Sequence, residues 1–284
     1  MKSLVLAEKP SVARDIARVL GCHKNISGAI EGSNYIVTWA LGHLVTLADP
    51  EEYDKKFKAW DMSYLPMVPK KWELVVIKQT SKQYHNVKTQ LFRKDVSEII
   101  IATDAGREGE LVARWILDKS GCHKPIRRLW ISSVTDKAIK EGFAHLKDGR
   151  AYNDLYHAAR SRAEADWLVG INASQALMLS AGRGGYSLGR VQTPTLAMIC
   201  RRFRENRDFI SDTFHQLQLT VEKDGVRFTS LNPGVYKDRA EAEAKLSEAR
   251  KADRAIVLDV LCKEIAQEAP LLYDLTTLQR DANV

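Results

Sequence analysis

The 284-residue chain has an ordinary globular composition, with 45% hydrophobic residues, and its 43 Lys and Arg against 36 Asp and Glu give a formal net charge of +7. This length allows two or more domains, and the positive charge favours a polyanionic partner without requiring one. No apolar run approaches the roughly 20 residues of a membrane span, and no signal peptide follows Met1. The four cysteines are too widely spaced for a zinc site or a small disulfide framework. We therefore expect a soluble, intracellular protein with reduced thiols.

Residues 1–150 alternate short apolar runs with helical patterns, which predicts an α/β domain with a mostly parallel sheet flanked by helices. Between the second and third predicted strands, Gly42 to Lys71 shows no clear period and is rich in Pro and Trp. We therefore interpret it as an inserted irregular excursion. A loop of this length is often functional. The predicted elements are strands at 2–7, 34–40, 73–78, 97–102 and 126–131, and helices at 10–20, 81–93, 107–119 and 135–147.

From about residue 151 the pattern becomes helical, with apolar residues at helical spacing as far as Ile171. A glycine-rich stretch at 182–189 ends this helix. After Ser211 the sequence pattern is strand-like, and Asp224-Gly225 predicts a hairpin turn. The last predicted helix has no stop signal where the chain ends, which indicates a fragment. The predicted elements are helices at 191–205, 239–251 and 275–282 and strands at 214–221, 226–228 and 255–262.

Acidic residues directly follow two of the predicted buried strands. Glu8 follows the first strand, and Asp104 and Glu108 follow the fourth. If these strands are neighbours in a parallel sheet, the carboxylates meet Lys9 at one edge within about 10 Å, and we expect Arg107 to anchor the acidic loop by local pairing. Carboxylate oxygens without His or Cys suit Mg²⁺. The alternative is that these residues are solvated charges that cap helices.

Four motifs stand out by their order and spacing: Leu6-Ala7-Glu8-Lys9-Pro10-Ser11, Gly42-His43-Leu44, Asp104-Ala105-Gly106-Arg107-Glu108-Gly109-Glu110 and Ser187-Leu188-Gly189-Arg190-Val191-Gln192-Thr193-Pro194. Together they resemble the type IA DNA topoisomerases, and within them the bacterial topoisomerase III group. The resemblance extends over the whole chain. It implies that the first domain has the Toprim fold.

In that family a Glu and an Asp-x-Asp-x-Glu motif bind Mg²⁺, which implies that the metal ligands here are Glu8, Asp104 and Glu108. Gly106 stands where the family has its second Asp, so we expect a single main Mg²⁺ held by Glu8 and Asp104, because site charge sets divalent affinity. The implied catalytic residues are Glu8, Lys9 and Glu108. Lys9 would neutralise charge on the phosphate in the transition state.

The resemblance also implies the reaction: ATP-independent, Mg²⁺-dependent breakage of one DNA strand through a 5′-phosphotyrosine, strand passage and rejoining. Such a reaction relaxes negative supercoils or decatenates DNA. The family's nucleophilic tyrosine stands in a Tyr-Pro-Arg-Thr-Asp-Ser type motif, which does not occur in this sequence. We therefore expect the chain by itself to bind single-stranded DNA and Mg²⁺ without cleaving DNA.

The second half offers the cations and aromatic rings that single-strand binding requires. Arg162 and Asp166 share a helix face, so Asp166 could hold Arg162 toward a phosphate while a base stacks on Trp167. Alternatively, Trp167 belongs to the core and the two charges form a surface ion pair. The resemblance implies that the DNA-binding residues are Trp60, Arg162, Trp167, Gln175, Ser187, Leu188, Gly189, Arg190, Val191 and Gln192.

Residues 187–192 open a helix after the glycine-rich loop, so their free N–H groups and the side chains of Ser187, Arg190 and Gln192 can face a phosphate. His43 follows a strand end, and the resemblance places it near the active cleft. A lone histidine is more often structural than catalytic. The roles of His43 and of this loop are open at the level of sequence.

The resemblance divides the chain into a Toprim domain at 1–150, a helical DNA-binding part at 151–210, a β-rich arch part at 211–268 and the start of the tyrosine-bearing domain at 269–284. It implies single-stranded or negatively supercoiled DNA as partner, a monomeric state and a bacterial cytoplasmic, nucleoid-associated location, and it allows a helicase as a further partner. A Toprim nuclease or primase would share the acidic cluster without needing the motif at 187–194. A non-enzymatic single-strand-binding module is the third possibility.

Overall fold

The computed structural model describes residues 1–182, 185–252, 254–270, 272–273 and 275–282. Part of the glycine-rich stretch predicted at 182–189 therefore lies outside the described residues. The chain divides into two units, residues 1–204 and 205–284. Each unit is described here by itself.

Within the stretch 1–182, a sheet of seven strands has its first strand at the centre, in the order β2-β3-β4-β1-β7-β8-β9. The four inner strands are parallel, as predicted, and the two edges are antiparallel. The strands are β1 (Lys2–Ala7), β2 (Lys24–Ile26), β3 (Ala29–Glu31), β4 (Tyr35–Trp39), β7 (Val96–Ala102), β8 (Ile126–Arg128) and β9 (Lys147–Asp148).

Successive residues of the central strand face two different cores, because side chains alternate across a sheet. Leu4 and Leu6 belong to one core, whereas Val5 and Ala7 belong to the other. This two-sided burial is typical of parallel sheets covered by helices on both faces and explains the continuous apolar run. The helices α1 (Pro10–Val19) and α5 (Asp136–Ala144) cover one face, and α3 (Ser81–Leu91) and α4 (Arg107–Ser120) cover the other.

The excursion between β4 and α3 contains more regular structure than predicted. The predicted strand at 73–78 is shorter, β6 (Leu74–Val76), and pairs antiparallel with β5 (Val45–Leu47) in a separate two-stranded sheet. Placing that strand in the main sheet was wrong, because an apolar run indicates a strand but not its partner. The remaining elements of this region are helix α2 (Pro50–Tyr53) and short 3₁₀ turns at Lys55–Lys58, Met62–Tyr64 and Lys78–Thr80.

The longest helix, α6 (Asn153–Ala181), follows a 3₁₀ turn at Gly149–Tyr152 and packs on α4. It ends at Gly182, whose φ of 70° is the left-handed conformation that glycine adopts without strain. After the glycine-rich loop, α7 (Gln192–Arg207) begins at nearly the predicted residue. Among the helices of the described residues, none is both long and apolar enough to cross a membrane.

The second unit contains the predicted hairpin, formed by β10 (Gln218–Lys223) and β11 (Val226–Leu231). Asp224 and Gly225 both have positive φ, 51° and 79°, as the tight turn requires. Helices α8 (Arg239–Arg250) and α9 (Leu275–Ala282) match the predictions. The predicted strand at 255–262 is wrong: its described residues form no strand and expose their apolar side chains, since no neighbouring strand pairs with them.

A charge cluster joins the amino-terminal ends of the central strands. Glu31 accepts hydrogen bonds from Lys2 and Arg93 at 2.6 Å each, and Arg93 also binds Asp95 at 2.8 Å. The hydrogen bond from Lys2, and to a smaller extent that from Arg93, lowers the pKa of Glu31. The hydrogen bond from Arg93 lowers the pKa of Asp95 to about 2. Carboxylates with a depressed pKa stabilise the folded state above their unfolded pKa, near 4.

We expect this contribution to be present above about pH 5 and to be lost as the pH falls toward 2. A Glu31→Gln variant is expected to be less stable than the parent at pH 7, and the difference should shrink as the pH is lowered. Urea unfolding of both proteins, followed by tryptophan fluorescence at several pH values, measures this difference. A constant difference over the acidic range would show that the carboxylate of Glu31 is not the group responsible.

Candidate active site and nucleic-acid cleft

The carboxyl ends of β1 and β7 bring Glu8, Lys9 and Asp104 together. The two strands pair parallel in register from Ser3 to Ala7, which confirms the prediction that they are neighbours. The backbone N–H of Asp104 donates to Glu8 Oε2 at 3.2 Å, and Lys9 Nζ lies 3.3 Å from Asp104 Oδ2. Two carboxylates and one ammonium group therefore share this edge of the sheet.

Glu108 stands in the first turn of α4 and faces a different set of groups. Its Oε1 lies 3.0 Å from Arg162 Nη2, and its Oε2 lies 3.9 Å from His43 Nε2. No group of three or more His, Cys, Asp or Glu side chains suited to hold a metal occurs in the described part of the chain. The carboxylate pair of Glu8 and Asp104 and the cation-bound Glu108 are thus two separate arrangements in this structure.

A buried ion pair beneath the acidic loop was not predicted. Arg128 and Glu110 are both 0% exposed, and Arg128 Nε donates to Glu110 Oε2 at 2.9 Å. The remaining guanidinium N–H groups donate to four backbone carbonyls, those of Ile101, Thr103, Asp104 and Leu129. Burial lowers the pKa of Arg128, and the neighbouring Glu110 opposes that shift. Arg128 therefore fixes the backbone from the end of β7 to Asp104.

The predicted anchor of this loop, Arg107, does not perform that task. Its side chain is exposed, and it makes no ion pair or side-chain hydrogen bond within the described residues. It lies in the first turn of α4, whereas the backbone at the end of β7 is bound by Arg128. A buried arginine was missed because a charged residue at a strand end is normally exposed.

Two glycines of the loop differ in what surrounds them. A Cβ on Gly109 would lie 2.2 Å from the carbonyl oxygen of Asp104, so only glycine allows α4 to approach the loop this closely. A Cβ on Gly106 would meet nothing within 4 Å. Gly106 is therefore not required by packing, and the space at this position could hold a side chain.

A chain of ion pairs connects Glu108 to the loop before α7. Arg190 binds Asp166 with two hydrogen bonds, Nε to Oδ1 at 2.6 Å and Nη2 to Oδ2 at 3.1 Å. Arg162 lies between the acids, 4.0 Å from Asp166 but 3.0 Å from Glu108. The hydrogen bond from Arg190 lowers the pKa of Asp166. The main ion-pair partner of Asp166 is therefore Arg190, and that of Arg162 is Glu108.

A cavity of about 310 Å³ lies beside these charges, between α4, α6 and the residues around β5. Glu108 and Arg162 form its charged side, and His43, Trp115 and Trp167 are among its remaining lining residues. The rings of His43 and Trp115 contact edge to face, with centroids 6.0 Å apart. The cavity thus offers an arginine and aromatic surface at the acidic edge of the sheet.

Trp167 is also a packing residue. Its indole N–H donates to the carbonyl of Ala48 at 2.9 Å, and its ring contacts Tyr53 and Trp72 edge to face. These contacts match the interpretation that Trp167 belongs to the core, while its place in the cavity lining keeps part of the ring accessible.

The loop at 187–192 is tied to its surroundings by hydroxyl groups. The N–H of Leu188 donates to Ser174 Oγ at 2.8 Å, and the N–H of Gly189 donates to a threonine hydroxyl in α7 at 3.0 Å. Gln192 Nε2 donates to the Ser187 hydroxyl at 2.9 Å. The prediction that the N–H groups of this loop are free is therefore wrong for Leu188 and Gly189. The side chain of Val191 in the same loop is exposed.

The last two predicted contacts differ in exposure. Trp60 lies in the excursion and is 53% exposed. Gln175 on α6 is only 6% exposed, and its Oε1 has no hydrogen-bond partner within the described residues. A buried polar atom without a partner is costly, so Gln175 Oε1 is an acceptor available to a donor group.

Two family profiles match the chain. The Toprim domain matches residues 3–134, and the DNA topoisomerase family matches residues 150–284. The second match begins close to the start of the long helix α6, whereas the first ends before α5 and β9.

Similar proteins include DNA topoisomerase 3 from Bacillus cereus (55% identity over 283 residues), Shouchella clausii (56% over 285) and Bacillus subtilis (53% over 285). Each alignment covers 99% of this chain but 39% of the relative, so the chain spans about two-fifths of the length of these proteins. Full-length topoisomerase I from Thermotoga maritima superimposes with a TM-score of 0.57 at 24% identity, over 86% of this chain and 37% of that structure. At this identity the superposition supports the fold.

Proposed function

Since this chain belongs to the type IA DNA topoisomerases, we propose that it supplies the metal-binding and single-strand-binding portion of a topoisomerase III. The whole enzyme would break, pass and rejoin one DNA strand without ATP. One observation carries the proposal: Glu8, Lys9 and Asp104 meet at the strand ends beside a cleft in which Arg162 faces Glu108. This arrangement places cations for a phosphodiester next to carboxylates for a divalent ion.

The donor set at the strand ends fits Mg²⁺. Glu8 and Asp104 offer oxygen ligands only, and both side chains reach solvent, so a bound ion could keep several waters. We propose that these two residues hold the ion and that Glu108 joins them only if it leaves Arg162. Mg²⁺ at this place would supply positive charge to a phosphate at the moment of strand transfer.

The protein's own residues would orient the DNA phosphate. Lys9 brings an ammonium group to the carboxylate pair, where it can offset negative charge that develops on the transferring phosphate. Arg162 can exchange its contact with Glu108 for a DNA phosphate, because the pair is partly exposed and such pairs are weak. His43 beside Glu108 is positioned to affect that exchange, and we assign it no proton transfer.

The residues of the cleft would bind a single strand rather than a duplex. Cations along a groove and aromatic rings inside it are the features used by single-strand-binding proteins. We propose that Arg162, Arg190 and the 187–192 loop contact the backbone and that Trp60, Trp167 and Gln175 contact bases. The division into four domains, the monomeric state and a helicase partner remain predictions.

The alternative functions are less well supported. A Toprim nuclease or primase would need no segment that matches the DNA topoisomerase family over residues 150–284. A purely non-enzymatic binding module would need no carboxylate pair with a lysine at the strand ends. The combination of both features favours the topoisomerase.

We expect this chain to bind a short single-stranded oligonucleotide more tightly than the same sequence as a duplex, with an affinity that falls steeply with salt. Arg162→Ala should weaken single-strand binding about tenfold, because it removes a charge-assisted hydrogen bond to phosphate. Fluorescence anisotropy at two salt concentrations measures both effects. The control is Arg150→Ala, which removes an exposed arginine paired with Asp148 outside the cleft.

Equal affinity for single strand and duplex, or equal losses in the two variants, would contradict the proposed cleft. A tenfold loss confined to Arg162→Ala, with a reduced dependence of affinity on salt, would support it.

A further inference from the structure

The part of the excursion that carries Trp60, residues 53–72, begins and ends at one aromatic cluster. Tyr53 at its start and Trp72 at its end both contact Trp167 of α6, with ring centroids 5.7 Å and 5.3 Å apart. The Tyr53 hydroxyl also accepts from the backbone N–H of Glu73 and donates to the Glu73 carbonyl. The ends of the excursion are thus fixed independently of its middle.

The side chain of Asn172 binds the backbone in the middle of the excursion. The backbone N–H of Met67 donates to Asn172 Oδ1 at 2.6 Å, and Asn172 Nδ2 donates back to the Met67 carbonyl at 3.0 Å. Asn172 Nδ2 also donates to the carbonyl of Leu168 one turn earlier in α6, at 2.9 Å. Met67 itself is only 1% exposed. The asparagine amide therefore pairs with the loop backbone as a neighbouring strand would.

Between these anchors, the segment around Trp60 is shaped by local turns. Asp54 caps the first turn by accepting from the N–H of Lys56, and Asp61 caps the second by accepting from the N–H of Ser63. The second turn, Met62–Tyr64, contacts α6. Because these turns are self-contained, their position on the protein depends on the anchors at either side.

We propose that Asn172 is a positioning residue that fastens the Trp60 excursion to α6 and so sets where Trp60 meets a single DNA strand. The inference rests on the proposed function for its DNA-binding part. Asn172 touches no DNA in this account and acts through Met67 and the turn that follows Trp60.

The chemistry of the site selects asparagine. Aspartate would keep the acceptor for the Met67 N–H but would place a carboxylate against the carbonyls of Met67 and Leu168, which accept from the asparagine amide in the parent. Alanine would remove all three hydrogen bonds and leave the N–H of the buried Met67 without its partner. Both changes should release the middle of the excursion while its aromatic base stays packed.

The test compares the single variant Asn172→Ala with a second single variant, Asn153→Ala, as matched control. Asn153 lies in the same helix, and its side chain makes no hydrogen bond within the described residues. Hydrogen exchange should show the Met67 amide of Asn172→Ala exchanging at least about tenfold faster, with the main sheet unchanged. The control should exchange as the parent does. An unchanged Met67 amide in Asn172→Ala would overturn the anchoring role.

The link to DNA binding is tested by a double-mutant cycle of Asn172→Ala and Trp60→Ala, in which the affinity for single-stranded DNA is measured. Loss of a stacked base should weaken binding at least about fivefold. If Asn172 acts through Trp60, Asn172→Ala should weaken binding too, and the double variant should bind no more weakly than Trp60→Ala. Additive losses would overturn the proposed link to Trp60. If the parent chain binds no single strand, the proposed function fails, while the exchange measurement still decides whether Asn172 anchors the excursion.

Discussion

Replacing Arg128 with leucine is expected to destabilise the first unit by about 3–5 kcal/mol, because it leaves the carboxylate of Glu110 buried without its main partner. Both side chains are 0% exposed, and Arg114 offers Glu110 only a second contact from the edge. The substitution also removes the hydrogen bonds from Arg128 to four backbone carbonyls. Two of these carbonyls, those of Ile101 and Asp104, keep a backbone N–H donor.

Chemical denaturation followed by tryptophan fluorescence measures this loss, since all six tryptophans lie between residues 39 and 167 and report the first unit. The double variant Arg128→Leu, Glu110→Leu should recover part of the stability, because it removes both charges together. Arg150→Leu is the control, an exposed arginine whose loss should cost less than about 1 kcal/mol. A loss as small as that control in Arg128→Leu would contradict the role given to the buried pair.

The sheet domain was largely predictable because its signals are local. Continuous apolar runs at 2–7 and 97–102 indicate strands buried on both faces, and the helical patterns after them give α1 and α4 within a few residues. The Asp224-Gly225 turn was equally predictable, because few dipeptides accept two positive φ angles.

Both errors in the predicted strands arise from strand pairing. The run at 74–76 does form a strand, yet its partner is β5 and not the main sheet. The run at 255–262 has strand-like composition, but a strand also needs a neighbour for its backbone hydrogen bonds. Pairing is decided by tertiary packing, which the local pattern does not contain.

The candidate site divides in the same way. The meeting of Glu8 and Asp104 followed from two strand ends and one assumption about their order, and β1 and β7 are indeed neighbours. The attachment of Glu108 to Arg162 depends on how α6 packs on α4, and that of Asp166 to Arg190 depends on where the loop before α7 meets α6. The supporting residues Arg128 and Asn172 gave no signal in the sequence, because their roles consist of contacts with distant backbone.

The largest functional effect is expected for Lys9. In a chain in which residues 1–284 are joined to the remaining portion of DNA topoisomerase 3 from Bacillus subtilis, Lys9→Ala should slow plasmid relaxation about 100-fold or more, because it removes a fixed cation from the phosphate. Single-strand affinity should change little, since Lys9 lies at the strand ends and the proposed backbone contacts of the cleft are made by Arg162 and Arg190. Lys24→Ala, an exposed lysine of the edge strand β2, is the matched control. Equal rates for both variants would exclude a role for Lys9 in the reaction.

We propose that this chain provides the Toprim and single-strand-binding portion of a type IA topoisomerase. Relaxation of negatively supercoiled plasmid by the same joined protein, with Mg²⁺ and without ATP, beside the intact Bacillus subtilis enzyme, tests this proposal directly. We predict that the joined protein relaxes the plasmid and that residues 1–284 alone do not. A folded joined protein that binds single-stranded DNA but leaves the plasmid supercoiled would contradict the claim.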